Sequence, residues 1–167
     1  MTPLTPKLVR DLMTVGVQTC PPGTPLPELA RRMLETGCEA VVVMQEGHAL
    51  GVVGEDEIVA CFHRDDLHEL CVADVMREGV PQIPPDIPLA AAAQVMRDLG
   101  VRTLFLMHHA AGVEYPAAHI SFRHLLRYVA AESDEDLRDL GMHAQRQAPL
   151  ESFIQRRDEA RKNATGS

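Results

Sequence analysis

The most constraining feature of this sequence is an internal repeat. Residues 9–44 recur without a gap as residues 72–107, 63 positions later, and 13 of the 36 aligned pairs are identical. Ordinary amino-acid composition would give about two or three identities. A repeat of this length is a duplicated supersecondary unit, and two such copies pack together because neither buries its apolar surface alone. We therefore expect one module of two pseudo-symmetric copies, with the functional site between them.

Each copy reads as a β-α-β-β-α unit that follows a short helical turn. In the first copy this turn ends at Met13, and the Pro-Pro-Gly run that starts at Pro21 stops a strand, because proline lacks the donor that a strand or helix needs. Apolar residues then fall at helical spacing up to Gly37, a typical helix end. The predicted elements are strands at 17–20, 40–44 and 50–53, helices at 26–35 and 55–63, and a turn at 45–48.

The second copy is predicted to keep this order with one change. Its hairpin loop is longer than that of the first copy and runs over residues 108–118, with Tyr115 and Pro116 inside it. The other predicted elements are strands at 82–83, 103–107 and 119–121 and helices at 89–99 and 123–131.

The motifs of both copies resemble those of the CBS domain, the repeat named after cystathionine β-synthase. Residues 9–14 and 72–77 are similar to the opening apolar-x-Asp-apolar-Met-Thr signature of that family. Residues 37–43 and 100–106 are similar to its Gly-x-x-x-apolar strand entry, and residues 51–58 complete the match in the first copy.

This resemblance covers about residues 7–131 and implies a tandem pair of CBS repeats, often called a Bateman module. The implied fold is a mixed α/β (α+β) fold in which two pseudo-symmetric repeats pack as one module. We expect the first repeat at residues 7–68, the second at 69–131 and a helical or partly disordered C-terminal tail at 132–167.

Charge and motif content argue against several classes of function. The chain carries 16 basic and 24 acidic residues, a formal charge of −8, which argues against a general nucleic-acid or anionic-membrane surface. It has no apolar run near the ~20 residues that span a bilayer and no signal-peptide core at its start, so we expect a cytoplasmic protein. Phosphate-loop, nucleophile-turn and dinucleotide-binding motifs are absent, so we expect binding and regulation rather than catalysis.

Cysteines and histidines leave two alternatives open. The four cysteines show no Cys-x-x-Cys spacing and lie mostly in apolar segments, which favours small buried side chains in a reducing compartment over a redox switch. His108, His109, His119 and His124 bracket the second hairpin, where they could meet around a metal. Their spacing matches no standard site, so we predict no metal ligand.

The resemblance also implies a ligand. In the family an adenosine nucleotide or derivative, such as AMP, ADP, ATP or S-adenosylmethionine, binds in clefts between the repeats. A Thr/Ser-x-x-Asp motif after the last strand holds the ribose, and basic residues at the entry of the buried strand meet the phosphates. These roles suit carboxylate and guanidinium groups. This chain keeps the motif only in part, with Gly54 and Glu57 at its ends in the first copy and Ser121 and His124 in the second.

The residue just before the buried strand, which we call the strand-entry residue, differs in charge between the copies. It is Glu39 in the first copy and Arg102 in the second. We therefore expect an anionic ligand in one cleft that holds Ser121, His124, Arg102 and Thr103 and is completed by residues 14–17 of the first copy. We expect Arg102→Ala to weaken a phosphorylated ligand. No other cofactor is predicted. The predicted ligand-binding residues are Thr14, Val15, Gly16, Val17, Glu57, Arg102, Thr103, Ser121 and His124.

Structural roles are the alternatives for three of these residues. Ser121 precedes a predicted helix and would cap it, as serine commonly does, which would leave His124 on the solvated face of that helix. For Glu57, the alternative is an exposed helix carboxylate that binds no ligand.

The composition changes after residue 131. An acidic run at 132–136 carries a serine cap signal, and an apolar stripe of Leu150, Phe153 and Ile154 follows. The stripe either packs back on the module or reaches a partner subunit. CBS pairs commonly form disc-like homodimers, so we expect a homodimer to which this tail contributes.

Two classes of function remain from the sequence. The first is a regulatory module that senses an adenosine-type ligand and acts on its dimer geometry or on an enzyme or transporter in trans. The second is a ligand-free scaffold for homodimerisation or other protein–protein interaction.

Overall fold

The computed structural model describes residues 6–137. The first copy contains α1 (Val9–Leu12), β1 (Thr14–Val15), β2 (Thr19–Cys20), α2 (Leu26–Thr36), β3 (Ala40–Gln45), β4 (His48–Gly54) and α3 (Glu55–Ala60). The short 3-10 helix Leu67–Glu69 follows. The second copy contains α4 (Val72–Val75), β5 (Arg77–Glu78), α5 (Leu89–Leu99), β6 (Thr103–Ala110), β7 (Val113–Ser121) and α6 (Phe122–Ala130). The predicted mixed α/β architecture is confirmed.

The two long equivalent helices, α2 and α5, form as their sequences predict. Each begins after a proline, Pro25 or Pro88, and each ends at a glycine in the left-handed region, Gly37 with φ 66° and Gly100 with φ 62°. Glycine is the residue that takes this conformation without steric cost, so it ends the helix cleanly. Both helices bury one apolar face, which leaves the opposite face to solvent.

The strands form two sheets that exchange an element between the copies. The first sheet has the order β2-β3-β4-β5 and the second β1-β7-β6. The short strand β1 of the first copy therefore pairs with β7, and β5 of the second copy pairs with β4. Gly51 permits the second pairing, because a Cβ at this position would overlap the carbonyl of Arg77.

The opening helices are exchanged in the same way. The N–H of Val9 donates to the carbonyl of Ile87 at 2.9 Å, and the matched N–H of Val72 donates to the carbonyl of Thr24 at 2.9 Å. Val9 is buried in the hydrophobic core of the second copy, and Val72 in that of the first. The repeats therefore fold as one interlocked module, since each core contains side chains of both copies.

A separate hydrophobic cluster joins the two sheets. Val42 and Val52 of the first sheet pack with Phe105 and Met107 of the second, and all four are buried. This cluster fixes how the repeats face each other, so it also determines the shape of the clefts between them.

The second hairpin differs from its sequence prediction. The predicted loop at 108–118 is wrong, because β6 and β7 continue to a two-residue turn at Ala111 and Gly112, with φ 52° and 79°. Pro116 lies inside β7, where the register with β6 shifts. It also lies beyond the end of the β1 pairing, so its missing N–H removes no hydrogen bond to that strand.

Smaller differences affect the ends of three elements. The predicted strand at 17–20 is reduced to Thr19–Cys20, and the predicted helix at 55–63 ends at Ala60. The predicted strand at 82–83 is only a parallel bridge between Gln82 and Phe105. The remaining helices and strands lie where the sequence predicts them. The last strand of each copy, β4 in the first and β7 in the second, is longer than predicted.

Candidate functional site

Within residues 6–137, two clefts between the copies contain the predicted site residues. We call the larger the Ser121 cleft, a cavity of about 510 Å³, and the smaller the Gly54 cleft, of about 280 Å³. The larger volume is within the range of small-molecule sites in proteins. Glu39, Ala40 and Arg123 line both clefts.

The Ser121 cleft brings together most of the predicted site residues. The segment after α1 forms one wall, and the end of β7 with the first turn of α6 forms the other. This arrangement follows from the exchanged strand, because Thr14 pairs in register with His119 on β7. The cleft is lined by Thr14, Val15, Gly16, Val17, Ser121 and His124.

A buried hydrogen-bond network connects the two walls of the Ser121 cleft. The Nδ1 atom of His124 accepts the backbone N–H of Ser121 at 3.0 Å, so this nitrogen is unprotonated. In the neutral ring the proton is then on Nε2, which lies 2.8 Å from Oγ1 of Thr14 and donates to it. The Thr14 hydroxyl therefore keeps its own proton available for a ligand in the cleft.

The electrostatic surroundings keep His124 neutral. Burial, together with the nearby His119 and Arg127, lowers the pKa of His124 to about 4. The ring of His119 lies 5.4 Å from that of His124, edge to face, and burial lowers the pKa of His119 as well. At neutral pH, neither ring supplies a positive charge for an anion.

The Gly54 cleft holds the other three predicted site residues, Glu57, Arg102 and Thr103. The expectation that Arg102 and Thr103 share one cleft with Ser121 and His124 is therefore wrong. Oε2 of Glu57 accepts the N–H of Gly54 at 2.9 Å, which matches the contact of His124 with Ser121 in the other copy. Thr103 is buried opposite Ser121 in the ladder of β6 and β7.

Two equivalent ion pairs explain why the prediction failed. Each strand-entry residue meets the closing helix of the other copy: Arg123 Nε lies 3.2 Å from Glu39 Oε1, and Arg102 Nε lies 3.0 Å from Asp56 Oδ2. The charges are reversed between the two pairs. Arg102 is thus held beside the acidic start of α3, because the two copies cross at their strand entries.

The structural alternatives for Ser121, His124 and Glu57 are settled in part. Ser121 is the N-cap residue of α6, with His124 in the third helical position that Glu or Gln takes in a capping box. His124 is only 4% exposed, so the alternative that placed it on the solvated face of α6 is wrong. The Glu57 side chain is 21% exposed and makes a cap contact, so it is not an exposed carboxylate either.

Sequence reasoning missed two arginines of the Ser121 cleft. Arg123 and Arg127 both line this cavity from α6. The signal was present, because residues four apart on a helix share one face and His124 had already marked this helix as a wall of the site.

The described residues also bear on the cysteines, on metals and on membranes. All four cysteines are free thiols, and burial raises the pKa of Cys20 and Cys38. Within residues 6–137, no three side chains of His, Cys, Asp or Glu converge to hold a metal ion. Across the same residues, no helix has the length and apolarity to cross a bilayer. The apolar stripe of Leu150, Phe153 and Ile154 lies outside the described part of the chain.

The start of the predicted tail can be described as far as residue 137. The serine cap signal is present, because the N–H of Ser133 donates to Asp136 at 2.8 Å and Ser133 Oγ accepts the N–H of Asp136 at 3.2 Å. Asp134 pairs with Lys7 at 2.8 Å, and Leu137 is buried. The first residues after 131 therefore pack on the module.

Comparison with protein families matches the repeat to a known domain. A family model described as the CBS domain matches residues 9–64 and again residues 72–131. No curated protein matches the chain in sequence.

Solved structures show the same fold at low sequence identity. The CBS-domain containing protein ATU1752 from Agrobacterium tumefaciens matches with a TM-score of 0.63 and 21% identity, over 73% of this chain and 98% of that one. The CBS domain pair of protein MJ0100, solved in complex with 5-methylthioadenosine and S-adenosyl-L-methionine, matches with a TM-score of 0.64 and 14% identity, over 75% and 98%. The hexameric CBS-CP12 protein from bloom-forming cyanobacteria matches with a TM-score of 0.59 and 18% identity, over 72% and 69%.

Proposed function

The chain belongs to the CBS domain family, as a tandem pair of repeats, and from this premise we propose that it is a non-catalytic regulatory module that binds an adenosine nucleotide or derivative. The proposed site is the Ser121 cleft. The observation that carries the proposal is the hydrogen-bonded link from Thr14 through His124 to Ser121, which joins both copies at the wall of a cavity of about 510 Å³.

The polar groups of this cleft suit a nucleoside. Thr14 offers a hydroxyl donor on one wall. On the other wall the hydroxyl of Ser121 donates to Nδ1 of His124 at 3.0 Å and keeps its lone pairs as acceptors. Ribose hydroxyls both donate and accept, so they can pair with such groups. The apolar side chains of Val15 and Val17 provide surface for a base. A ligand here would contact both copies at once, so its binding would bias how the copies are held together. The adenosine-type ligands of the MJ0100 pair give independent support.

A ligand-binding measurement tests this proposal directly. Saturation at 100 times the dissociation constant stabilises a protein by about 2.7 kcal/mol. For a domain of this size, we expect the melting temperature to rise by roughly 5–10 °C with the best member of a panel of AMP, ADP, ATP, S-adenosylmethionine and NAD. Ribose 5-phosphate, which lacks the base, is the chemical control and should give a smaller shift. No shift with any member at millimolar concentration would favour the scaffold function.

A second role, assembly of a homodimer, is supported by a matched apolar patch. Val59 of α3 and Phe62 just after it are 64% and 68% exposed, and the equivalent Leu126 and Val129 of α6 are 68% and 80% exposed. We define these four residues as the closing-helix patch. Because the patch repeats the pseudo-symmetry of the module, a second copy related by a two-fold axis can cover both halves of it at once.

The closing-helix patch gives a prediction about assembly. We expect Leu126→Glu to shift a dimer to monomer in sedimentation velocity, because it places a charge in a surface that association would bury. Val113→Glu is the matched control, since Val113 is 45% exposed at the tip of the β6–β7 hairpin. Equal association of both variants and the original protein would remove the patch from the interface and leave the tail as the candidate.

A further inference from the structure

In the Ser121 cleft, positively charged side chains outnumber negatively charged ones. Arg123 and Arg127 lie four residues apart on α6 and both line the cavity, opposite a single carboxylate, Glu39. Glu39 is held on Arg123 at 3.2 Å. Among residues 6–137, no acidic side chain forms an ion pair with Arg127, although this arginine is half-buried. A partly desolvated guanidinium without an anion is a ready partner for one, and it can bind phosphate or carboxylate through two hydrogen bonds.

The neighbouring histidines do not compete for this role. His124 is neutral at physiological pH, and the charge of Arg127 is one of the reasons. An anionic group in the cleft would therefore meet its positive charge on α6, at Arg127, and not at the histidine that replaces the ribose-binding carboxylate of the family motif.

We propose that Arg127 recognises a single phosphate or carboxylate group of the ligand in the Ser121 cleft, and that Glu39 limits the ligand to one such group. This inference rests on the proposed function and names the ligand class as a nucleoside monophosphate or a nucleoside bearing a carboxylate. Additional phosphates meet Glu39, which already occupies Arg123 and repels further negative charge.

The Gly54 cleft offers the opposite environment. Two arginines line this cleft, and one of them, Arg123, also lines the Ser121 cleft. The other, Arg102, forms an ion pair with Asp56 at 3.0 Å. The acidic start of α3, with Glu55 and Glu57, lines the same cavity. This cleft repels an anion, so Arg102 is the matched control for Arg127 and not the phosphate-binding residue that the sequence predicts.

Titration calorimetry with adenosine, AMP and ATP tests the inference on the full chain. We expect the original protein to bind AMP more tightly than adenosine or ATP. Arg127→Gln should weaken AMP binding about 10- to 100-fold, the equivalent of one hydrogen bond to a charged group, and change adenosine binding by less than about twofold. Arg102→Gln should leave all three affinities unchanged, and Glu39→Gln should strengthen ATP binding more than AMP binding.

Several results would overturn it. If Arg127→Gln weakens adenosine as much as AMP, Arg127 supports the fold, which thermal melting of this variant and of Arg127→Lys would show independently. If Arg102→Gln costs as much as Arg127→Gln, the assignment of the cleft is wrong. Equal binding of adenosine and AMP by the original protein would end this inference and leave the proposed function standing. Binding of none of the three, and of neither S-adenosylmethionine nor NAD, would end both.

Discussion

Replacing Phe105 with alanine is expected to lower the free energy of unfolding by about 3–5 kcal/mol. Phe105 is only 1% exposed and packs with Val42, Val52 and Met107 between the two sheets. The loss combines the transfer of a buried ring to water with the cavity left behind, because side chains from two different sheets cannot both relax into the space.

Leu34 of α2 is the control for this prediction. It is 85% exposed, so Leu34→Ala should change stability by less than about 0.5 kcal/mol. Urea denaturation followed by circular dichroism measures both variants under one condition. Similar losses in the two variants would mean that the cluster between the sheets does not hold the copies together. Because Phe105 also lines the Gly54 cleft, its loss should leave an enlarged cavity there.

Acidification is expected to remove a stabilisation that depends on His124. The pKa of His124 is lowered from 6.5 to about 4 in the folded protein, so the unfolded chain binds the proton first. The stabilisation is fully present above pH 6.5 and is lost as the pH falls from 6.5 towards 4. At 1.36 kcal/mol per pKa unit, the complete loss is on the order of 3 kcal/mol.

The variant His124→Gln isolates this contribution. Glutamine in the third helical position can still accept the N–H of Ser121, as in a capping box, but it does not titrate. We expect the fall in unfolding free energy between pH 7 and pH 4.5 to be smaller in this variant than in the original protein. Part of the fall should persist, because burial also lowers the pKa of His119. An identical pH dependence in both proteins would contradict a buried, neutral His124.

The second hairpin shows where local sequence signals mislead. Pro116 reads as part of a loop, yet it lies within β7. A proline is tolerated there because the register shifts at this point and β1 does not extend along it. Both conditions depend on strand pairing between segments distant in sequence, so no local pattern contains them.

The candidate site shows the same division between local and long-range information. The sequence predicted that Thr14, Ser121 and His124 lie together, and they do, because the repeat and the motif positions define the two walls. It assigned Arg102 to the wrong cleft and missed Arg127. Which arginine faces which cavity depends on the crossing of the copies, visible in the pairs Glu39–Arg123 and Arg102–Asp56.

The sequence by itself determined the duplicated unit, its main helices and strands, and the expectation of a site between two unequal copies. These features follow from hydrophobic spacing, proline and glycine positions and the repeat, all of which act over a few residues or by direct comparison. Only the tertiary structure decided which charges meet in each cleft and that His124 is buried and neutral. Both depend on the exchange of α1 and β1 with α4 and β5, which brings side chains from opposite copies together and removes them from water.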